Sequence, residues 1–127
     1  MSTDERLTPV LPRTFLRPCV LLLLRESPAH GYDLLERLRP FGFTRADPGG
    51  LYRMLRTLED EGLVHSAWER SATGPDRRIY TLTRAGAEAL HDHARSLAAT
   101  ADILGDFVSR YAEFVEVRRR ATQHADV

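Results

Sequence analysis

The sequence predicts a mainly α-helical protein with one small β-hairpin and a long C-terminal helix. Three observations support this fold class. Amphipathic segments of helical period fill most of the first 62 residues, a Gly-Pro-Asp turn separates two stretches rich in β-branched and aromatic residues, and no proline follows residue 75. The 127 residues are enough for one small domain with one appended element.

The charge composition argues mildly against a protein that binds nucleic acid non-specifically, and it indicates which part of the chain could make a specific DNA contact. The formal net charge is zero, and all 18 basic residues are arginine. Residues 1–84 carry 13 arginines against 11 acids, whereas residues 85–127 carry five against seven. Any contact with DNA therefore belongs to a local patch in the first two thirds of the chain.

Cysteine content and apolar runs indicate the compartment. The longest apolar run, residues 19–24, is too short to cross a membrane, and the first residues lack the apolar segment of a signal peptide. The single cysteine, Cys19, excludes an internal disulfide. We therefore expect a cytoplasmic protein with no membrane partner.

The predicted organisation has four parts: an N-terminal arm (1–13), a domain (14–83), a C-terminal helix (84–120) and a tail (121–127). The first helix is predicted from Phe15 to Arg25, with Pro18 tolerated in its first turn. A short turn at 26–32 leads to a second helix at 32–42, which Pro40 and Gly42 end.

The third helix begins with the unusual stretch Asp-Pro-Gly-Gly. Asp47 is the predicted N-cap, Pro48 the first helical residue and Gly62 the residue that stops the helix. At 100° per residue, one face carries Leu51, Met54, Leu55 and Leu58. The opposite face carries Tyr52, Arg53, Arg56, Thr57 and Asp60.

A two-stranded hairpin is predicted next, with strands at 63–70 and 77–83 and a turn at 71–76. Trp68 and Tyr80 are expected to pack the hairpin onto the domain. Three arginines, Arg70, Arg77 and Arg78, lie near its tip and are candidate phosphate contacts. A solvated hairpin tip is the alternative interpretation.

Helix–turn–helix followed by a hairpin is the winged-helix arrangement, in which the third helix enters the major groove of DNA. The front of this helix is basic and aromatic, and its back carries the acids at 59–61. This order is the reverse of the one that the helix dipole favours, so helix stability does not account for it. DNA reading by Arg53 and Arg56 accounts for it better than a random solvated face.

Gly49 and Gly50 have two interpretations of equal weight. In the first turn of a helix, where backbone N–H groups are unpaired, glycines let a phosphate or a base edge approach closely. Alternatively, they relieve crowding against the second helix. Two early glycines cost about 1 kcal/mol each relative to alanine, which favours some specific reason for their presence.

The C-terminal helix, with Thr83 as predicted N-cap, carries a heptad seam that predicts a homodimer. A helix this long cannot bury the seam on its own small domain. The alternative is one helix that folds back, broken near Gly105. The seam residues are Leu90, Ala94, Leu97, Ala101, Leu104, Val108, Tyr111 and Val115.

The sequence carries only weak signals for an enzyme. We therefore expect that the protein is not an enzyme and that it binds no cofactor and no metal. His91 and His93 are two residues apart on a helix and point to opposite sides, and the sequence has no phosphate loop of the usual spacing.

Three segments resemble the PadR family of bacterial transcriptional regulators: HGYDLLERL (30–38), GGLYRMLRTLEDEGLV (49–64) and RRIYTLTRAG (77–86). The resemblance implies a winged-helix domain, a dimerisation helix of the family's shorter branch, and a repressor that a small molecule releases. It also implies that Tyr52 faces DNA. One departure is Arg53, where many members have proline, and it suggests a different operator sequence or register.

The hypothesis from the sequence is a homodimeric repressor that binds a double-stranded DNA operator. A small apolar or aromatic effector is expected to lodge between the first helix and the dimer seam, but its identity and its contact residues are unknown. A winged-helix protein-interaction module is the alternative, and a small enzyme is a distant third. The candidate DNA-binding residues are Gly49, Gly50, Tyr52, Arg53, Arg56, Thr57, Arg70, Arg77 and Arg78.

Overall fold

The computed structural model describes residues 11–43 and 47–125, and the chain divides into two compact units, Met1–His91 and Asp92–Val127. The predicted fold class is confirmed. Most of the predicted N-terminal arm, residues 1–10, lies outside the described residues. In chain order the elements are α1 (Leu16–Glu26), β1 (Ala29–His30), α2 (Gly31–Arg37), α3 (Pro48–Asp60), β2 (Val64–Glu69), β3 (Arg77–Leu82) and α4 (Arg84–Ala125).

The core of the first unit is built from α1 and one face of α3. The apolar run of α1 is buried as predicted, and Pro18 sits in its first turn. Leu51, Leu55 and Leu58 of α3 are each at most 1% exposed. Burial of this apolar stripe fixes the rotation of α3, so that its polar face points to solvent.

Helix α2 is shorter than predicted. It ends at Arg37, and a 3-10 turn at Arg39–Phe41 replaces the expected last turn. Pro40 has no N–H with which to continue the α-helical hydrogen bonds, so the chain tightens there. Gly42, at φ 93°, then ends this helical segment, as predicted.

Helix α3 begins and ends as its sequence predicts. The Asp47 carboxylate accepts hydrogen bonds from the N–H groups of Gly49 and Gly50, both at 3.1 Å. At the other end Gly62, at φ 77°, donates to the Glu59 carbonyl, and Leu63 donates to the Leu58 carbonyl. This pair of bonds is the Schellman motif, which a glycine at that position favours.

The sheet has three strands rather than the two expected, in the order β1-β3-β2, and all neighbours are antiparallel. The interpretation of residues 26–32 as a plain turn was therefore wrong. Ala29 and His30 pair with Tyr80 and Ile79. A strand of two residues is too short to show the alternation that reveals strands in a sequence.

Of the two aromatic residues expected to pack the hairpin onto the core, only Tyr80 does so. Tyr80 is 7% exposed, and burial raises the pKa of its hydroxyl. The expectation for Trp68 was wrong, since its side chain is 66% exposed. Its ring instead lies 5.3 Å from the guanidinium carbon of Arg78, the residue opposite it on β3.

The start of α4 is bonded to the end of α3. Thr83 is the predicted N-cap: its hydroxyl accepts from the Gly86 N–H and donates to the Gly62 carbonyl at 2.7 Å. The Thr83 N–H donates to the Leu63 carbonyl at 3.1 Å. A Cβ on Gly86 would lie 2.1 Å from that same carbonyl oxygen, so only glycine fits there.

Helix α4 runs without a break through Gly105 and continues five residues past the predicted end at 120. Leu90, the first residue of the predicted seam, packs against the core of its own domain. In the second unit the large apolar side chains from Leu97 to Val117 are exposed in the single chain. Among the described residues, no helix combines the length and the apolar character that a membrane crossing requires.

Candidate nucleic-acid interface

The polar face of α3 is exposed as its period predicts, and it carries the candidate DNA-reading residues Tyr52, Arg53, Arg56 and Thr57. The hydroxyl of Thr57 donates to the Arg53 carbonyl at 3.0 Å, within the helix. Arg53 forms a surface ion pair with Asp47 at 3.5 Å. Such an exposed pair is worth little, so Arg53 can exchange Asp47 for another anion at small cost.

Gly49 and Gly50 are not crowded by the second helix. The three nearest described atoms that a Cβ would meet at either position all belong to Asp47 and Arg53, at 3.3 Å or more. Their N–H groups already donate to the Asp47 carboxylate. This geometry removes support from the crowding interpretation, and it places an acid where a phosphate would approach.

Tyr52 lies across the first turn of α2, a contact that the sequence analysis did not foresee. A Cβ on Gly31 would come within 2.5 Å of the Tyr52 hydroxyl oxygen. Gly31 itself is buried, whereas Tyr52 remains 45% exposed. The glycine of the His-Gly-Tyr segment therefore makes room for the Tyr52 ring on the second helix.

Two of the three acids at the back of α3 are engaged within the domain. The Glu59 carboxylate accepts from the N–H and the hydroxyl of Ser66, at 3.1 Å and 2.8 Å. Glu61 accepts two hydrogen bonds from Arg17 of α1, which lower the pKa of its carboxyl. Asp60 is exposed. The acids therefore form no continuous acidic patch.

The wing presents exposed arginines beside α3. Arg70, Arg77 and Arg78 are all exposed. Arg78 donates from Nε to the Ser66 hydroxyl at 2.8 Å, and its two terminal nitrogens form no hydrogen bond with the described residues. Among the described side chains, no carboxylate lies within 4.0 Å of the guanidinium nitrogens of Arg56, Arg70 or Arg77.

A groove of about 820 Å³ separates the polar face of α3 from the wing. It brings together four of the nine predicted DNA-binding residues: Tyr52, Arg56, Arg77 and Arg78. Arg53, Thr57, Arg70, Gly49 and Gly50 lie outside it. The other residues that line it are His30, Gly31, Tyr32, Asp33, Glu59, Trp68, Asp76 and Tyr80.

Sequence reasoning missed several of these lining residues for identifiable reasons. Tyr32 was read as a helix residue and Trp68 as core, and both are exposed beside the groove. Glu59 was assigned to the acidic back of the third helix, away from DNA. Its helical position, two turns after Tyr52, places it on the edge of the face that meets the wing, and that was the available signal.

A helix–turn–helix whose last helix exposes arginines beside an antiparallel wing defines the winged-helix class of proteins. The model of the transcriptional regulator PadR-like family matches residues 20–92. The chain therefore belongs to the PadR-like family of transcriptional regulators, which is a family of regulators and not of enzymes. The match covers α1 from its fifth residue, α2, α3, the wing and the first turns of α4.

Two curated relatives support the assignment. The transcriptional regulator Rv3488 of Mycobacterium tuberculosis is 36% identical over 94 residues, which cover 73% of this chain and 86% of that protein. The negative transcriptional regulator PadR of Bacillus subtilis is 33% identical over 79 residues, which cover 61% of this chain and 43% of that protein.

Solved structures agree with the fold. A PadR-like transcriptional regulator from Bacillus cereus superposes with a TM-score of 0.69 at 26% identity, over 76% of this chain and 93% of that one. Bacillus subtilis PadR in complex with operator DNA superposes with a TM-score of 0.58 at 30% identity, over 65% and 48% of the two chains.

Proposed function

We propose that the protein is a DNA-binding transcriptional repressor that acts as a homodimer and responds to a small effector. The observation that carries this proposal is that Arg56 on α3 and Arg77 on the wing line one groove and that neither forms an ion pair with a described carboxylate. Arginines that are not ion-paired within the protein are available to the phosphate backbone of DNA. The structural relative solved with operator DNA supports the same function.

In this proposal α3 enters the major groove with its N-terminal half foremost. Arg53 and Arg56 read bases or bind phosphates, Tyr52 lies at the helix edge, and Thr57 contacts the backbone. Arg70, Arg77 and the terminal nitrogens of Arg78 bind phosphates beside the wing. Gly49 and Gly50 add no side chain to the first turn of α3, so that the duplex can approach it beside the Asp47 carboxylate.

A second copy of the chain is proposed to cover the exposed apolar seam of α4. In the single chain the exposed fractions of the large seam residues Leu97, Leu104, Val108, Tyr111 and Val115 range from 38% to 63%. A sustained heptad seam is typical of helices that pair. Two recognition helices would then meet successive major grooves about 34 Å apart on a near-palindromic site.

Release by an effector follows from the family resemblance, since repressors of this kind are controlled by small molecules. A small apolar or aromatic compound is the proposed class. Adding candidate compounds to a preformed protein–DNA complex and measuring its dissociation tests this part separately.

The test of DNA reading is the double variant Arg53→Ala plus Arg56→Ala, on a duplex from the region upstream of the protein's own gene. Each lost arginine contact is expected to cost about 1–3 kcal/mol of binding free energy. A matched control, Arg84→Ala plus Arg95→Ala, removes the same charge from α4. Equal affinity of the double variant and the wild type would overturn the assignment of α3.

Salt dependence separates this function from a protein-interaction module. Several phosphate contacts make the affinity for DNA fall steeply as the salt concentration rises. A module that binds proteins alone has no affinity for the duplex to lose. The acids at 59–61 would favour such a module, but Glu59 and Glu61 are occupied by Ser66 and Arg17.

A further inference from the structure

A chain of hydrogen bonds links the recognition helix to both long strands of the wing. Arg78 on β3 donates from Nε to the hydroxyl of Ser66 on β2 at 2.8 Å. That hydroxyl donates in turn to the Glu59 carboxylate on α3, and the Ser66 N–H donates to the same carboxylate at 3.1 Å. Each of the three elements contributes one side chain, so the chain of bonds joins all of them.

The direction of these bonds makes the link strong. The hydroxyl accepts from a cation and donates to an anion, so both of its hydrogen bonds are charge-assisted. Ser66 is 8% exposed, and its hydrogen bonds to Glu59 and Arg78 are partly buried. A charge-assisted bond away from bulk water is worth more than the same bond at the surface.

The link also fixes the one exposed tryptophan. Arg78 is directly opposite Trp68 in the β2–β3 pairing, and its guanidinium lies over the Trp68 ring. Towards the tip, the side chains of residues 72–77 are all exposed. A two-stranded ribbon is marginally stable by itself, so an anchor halfway along it determines how firmly the tip is held.

We propose that Glu59 is a positioning residue that fixes the wing relative to α3. It holds Ser66 and, through Ser66, the orientation of Arg78 and Trp68. The wing and the recognition helix then meet DNA as one preorganised surface, which reduces the entropy lost on binding. This inference rests on the proposed DNA-binding function, and Glu59 itself contacts no DNA.

Trp68 provides a test that needs no DNA, because it is the only tryptophan in the chain. Its fluorescence anisotropy reports on the wing alone. We expect Glu59→Ala to lower the anisotropy and to increase quenching by acrylamide, and Glu59→Gln, which keeps an acceptor for Ser66, to restore much of the wild-type signal. Glu61→Ala is the matched control, since it removes an equal charge from the same end of α3 without touching the wing.

A double-mutant cycle on DNA tests the consequence for binding. Arg77→Ala is expected to weaken binding several-fold in the wild type and to have about half that effect or less, on a logarithmic scale, in the Glu59→Ala background. Glu59→Ala alone is expected to weaken binding about tenfold, although it removes a negative charge that repels DNA. A purely structural role of Glu59 would leave the effect of Arg77→Ala unchanged.

The outcomes separate this inference from the proposed function. If the wild type binds the upstream duplex and Glu59→Ala changes neither the Trp68 anisotropy nor the effect of Arg77→Ala, the positioning role is overturned. If the wild type binds no duplex, the proposed function fails. The anisotropy of Trp68 then supports the positioning role if it falls in Glu59→Ala and overturns it if it does not.

Discussion

Gly31 shows how a residue without a side chain shapes the candidate interface. The ring of Tyr52 occupies the space that a side chain at position 31 would need. A Cβ at that position would lie 2.5 Å from the Tyr52 hydroxyl oxygen. The ring is at the end of a flexible, partly exposed side chain, so it can move where backbone could not. A substitution at Gly31 is therefore expected to displace Tyr52 rather than to unfold the domain.

We predict that Gly31→Ala lowers the free energy of unfolding by about 1 kcal/mol, because Tyr52 loses its contact with α2. The same change in a Tyr52→Ala background is expected to be close to neutral, because the clash is gone. Urea unfolding of the four proteins measures this coupling. Equal destabilisation in both backgrounds would mean that the Tyr52 ring is not the group displaced.

The burial of Cys19 affects how the stability of the protein depends on pH. Cys19 is 3% exposed, and burial raises the pKa of its thiol to about 11 from 9.0. The folded state therefore holds the thiol proton over a range in which the unfolded state releases it. The Cys19 thiol therefore leaves the stability unchanged below about pH 9, and its contribution lowers the stability as the pH rises from about 9 to 11.

We predict that a thiol reagent modifies native Cys19 slowly at pH 8 and rapidly once the protein is unfolded, because the thiolate is the reactive form. Cys19→Ala is the control for the pH effect, and its stability should decline less steeply above pH 9 than that of the wild type. Some decline should remain in this variant, because the pKa of the buried Tyr80 is raised as well. Rapid modification of the folded protein would show that the thiol is accessible.

At the scale of elements, α3 was the most predictable part of the chain. Its N-cap, its apolar stripe and its glycine stop are local signals that the fold did not override. The wing was less predictable, because strand β1 is two residues long and Trp68 carries the same β-propensity whether it is buried or exposed. The link from Glu59 to Ser66 and Arg78 depends on how α3 packs on the sheet, and no pattern within either element encodes that.

The two glycines in the first turn of α3 can be replaced by alanine to test why they are there. Alanine at positions 49 and 50 meets only the flexible side chains of Asp47 and Arg53 among its nearest described atoms. We therefore predict that Gly49→Ala and Gly50→Ala do not lower the melting temperature and that helix propensity raises it, each change contributing up to about 1 kcal/mol. In the proposed function both variants bind the upstream duplex more weakly.

Thermal unfolding and DNA titration of the same samples check this prediction. A lower melting temperature with unchanged affinity for DNA would restore the crowding interpretation. Asp47→Ala is a useful companion, since it removes the N-cap and is expected to destabilise the protein by about 1 kcal/mol.

At the scale of the whole molecule, the apolar seam of α4 is the feature that a single chain leaves exposed. Val108 and Tyr111 are each 63% exposed and are successive members of the heptad pattern. Ile103, 69% exposed, lies outside that pattern on the same helix. The three residues therefore allow a matched comparison of positions on the seam and off it.

We predict that Val108→Glu plus Tyr111→Glu yields a monomer with much weaker binding to the duplex, because charges on the seam oppose helix pairing. Ile103→Glu is expected to remain dimeric. Sedimentation velocity, with circular dichroism to confirm that α4 stays helical, makes the measurement. A dimer that survives the double change would place the contact between copies elsewhere.

The hydrogen bonds from Thr83 to Gly62 and Leu63 have a mechanical consequence. The residues that close α3, Gly62 and Leu63, bond directly to Thr83, the residue that caps α4, so this joint has no loop in which a rotation could be absorbed. Gly86, pressed against the Leu63 carbonyl, leaves no slack there either. The end of α3 and the first turn of α4 therefore turn together, as one piece within the first unit.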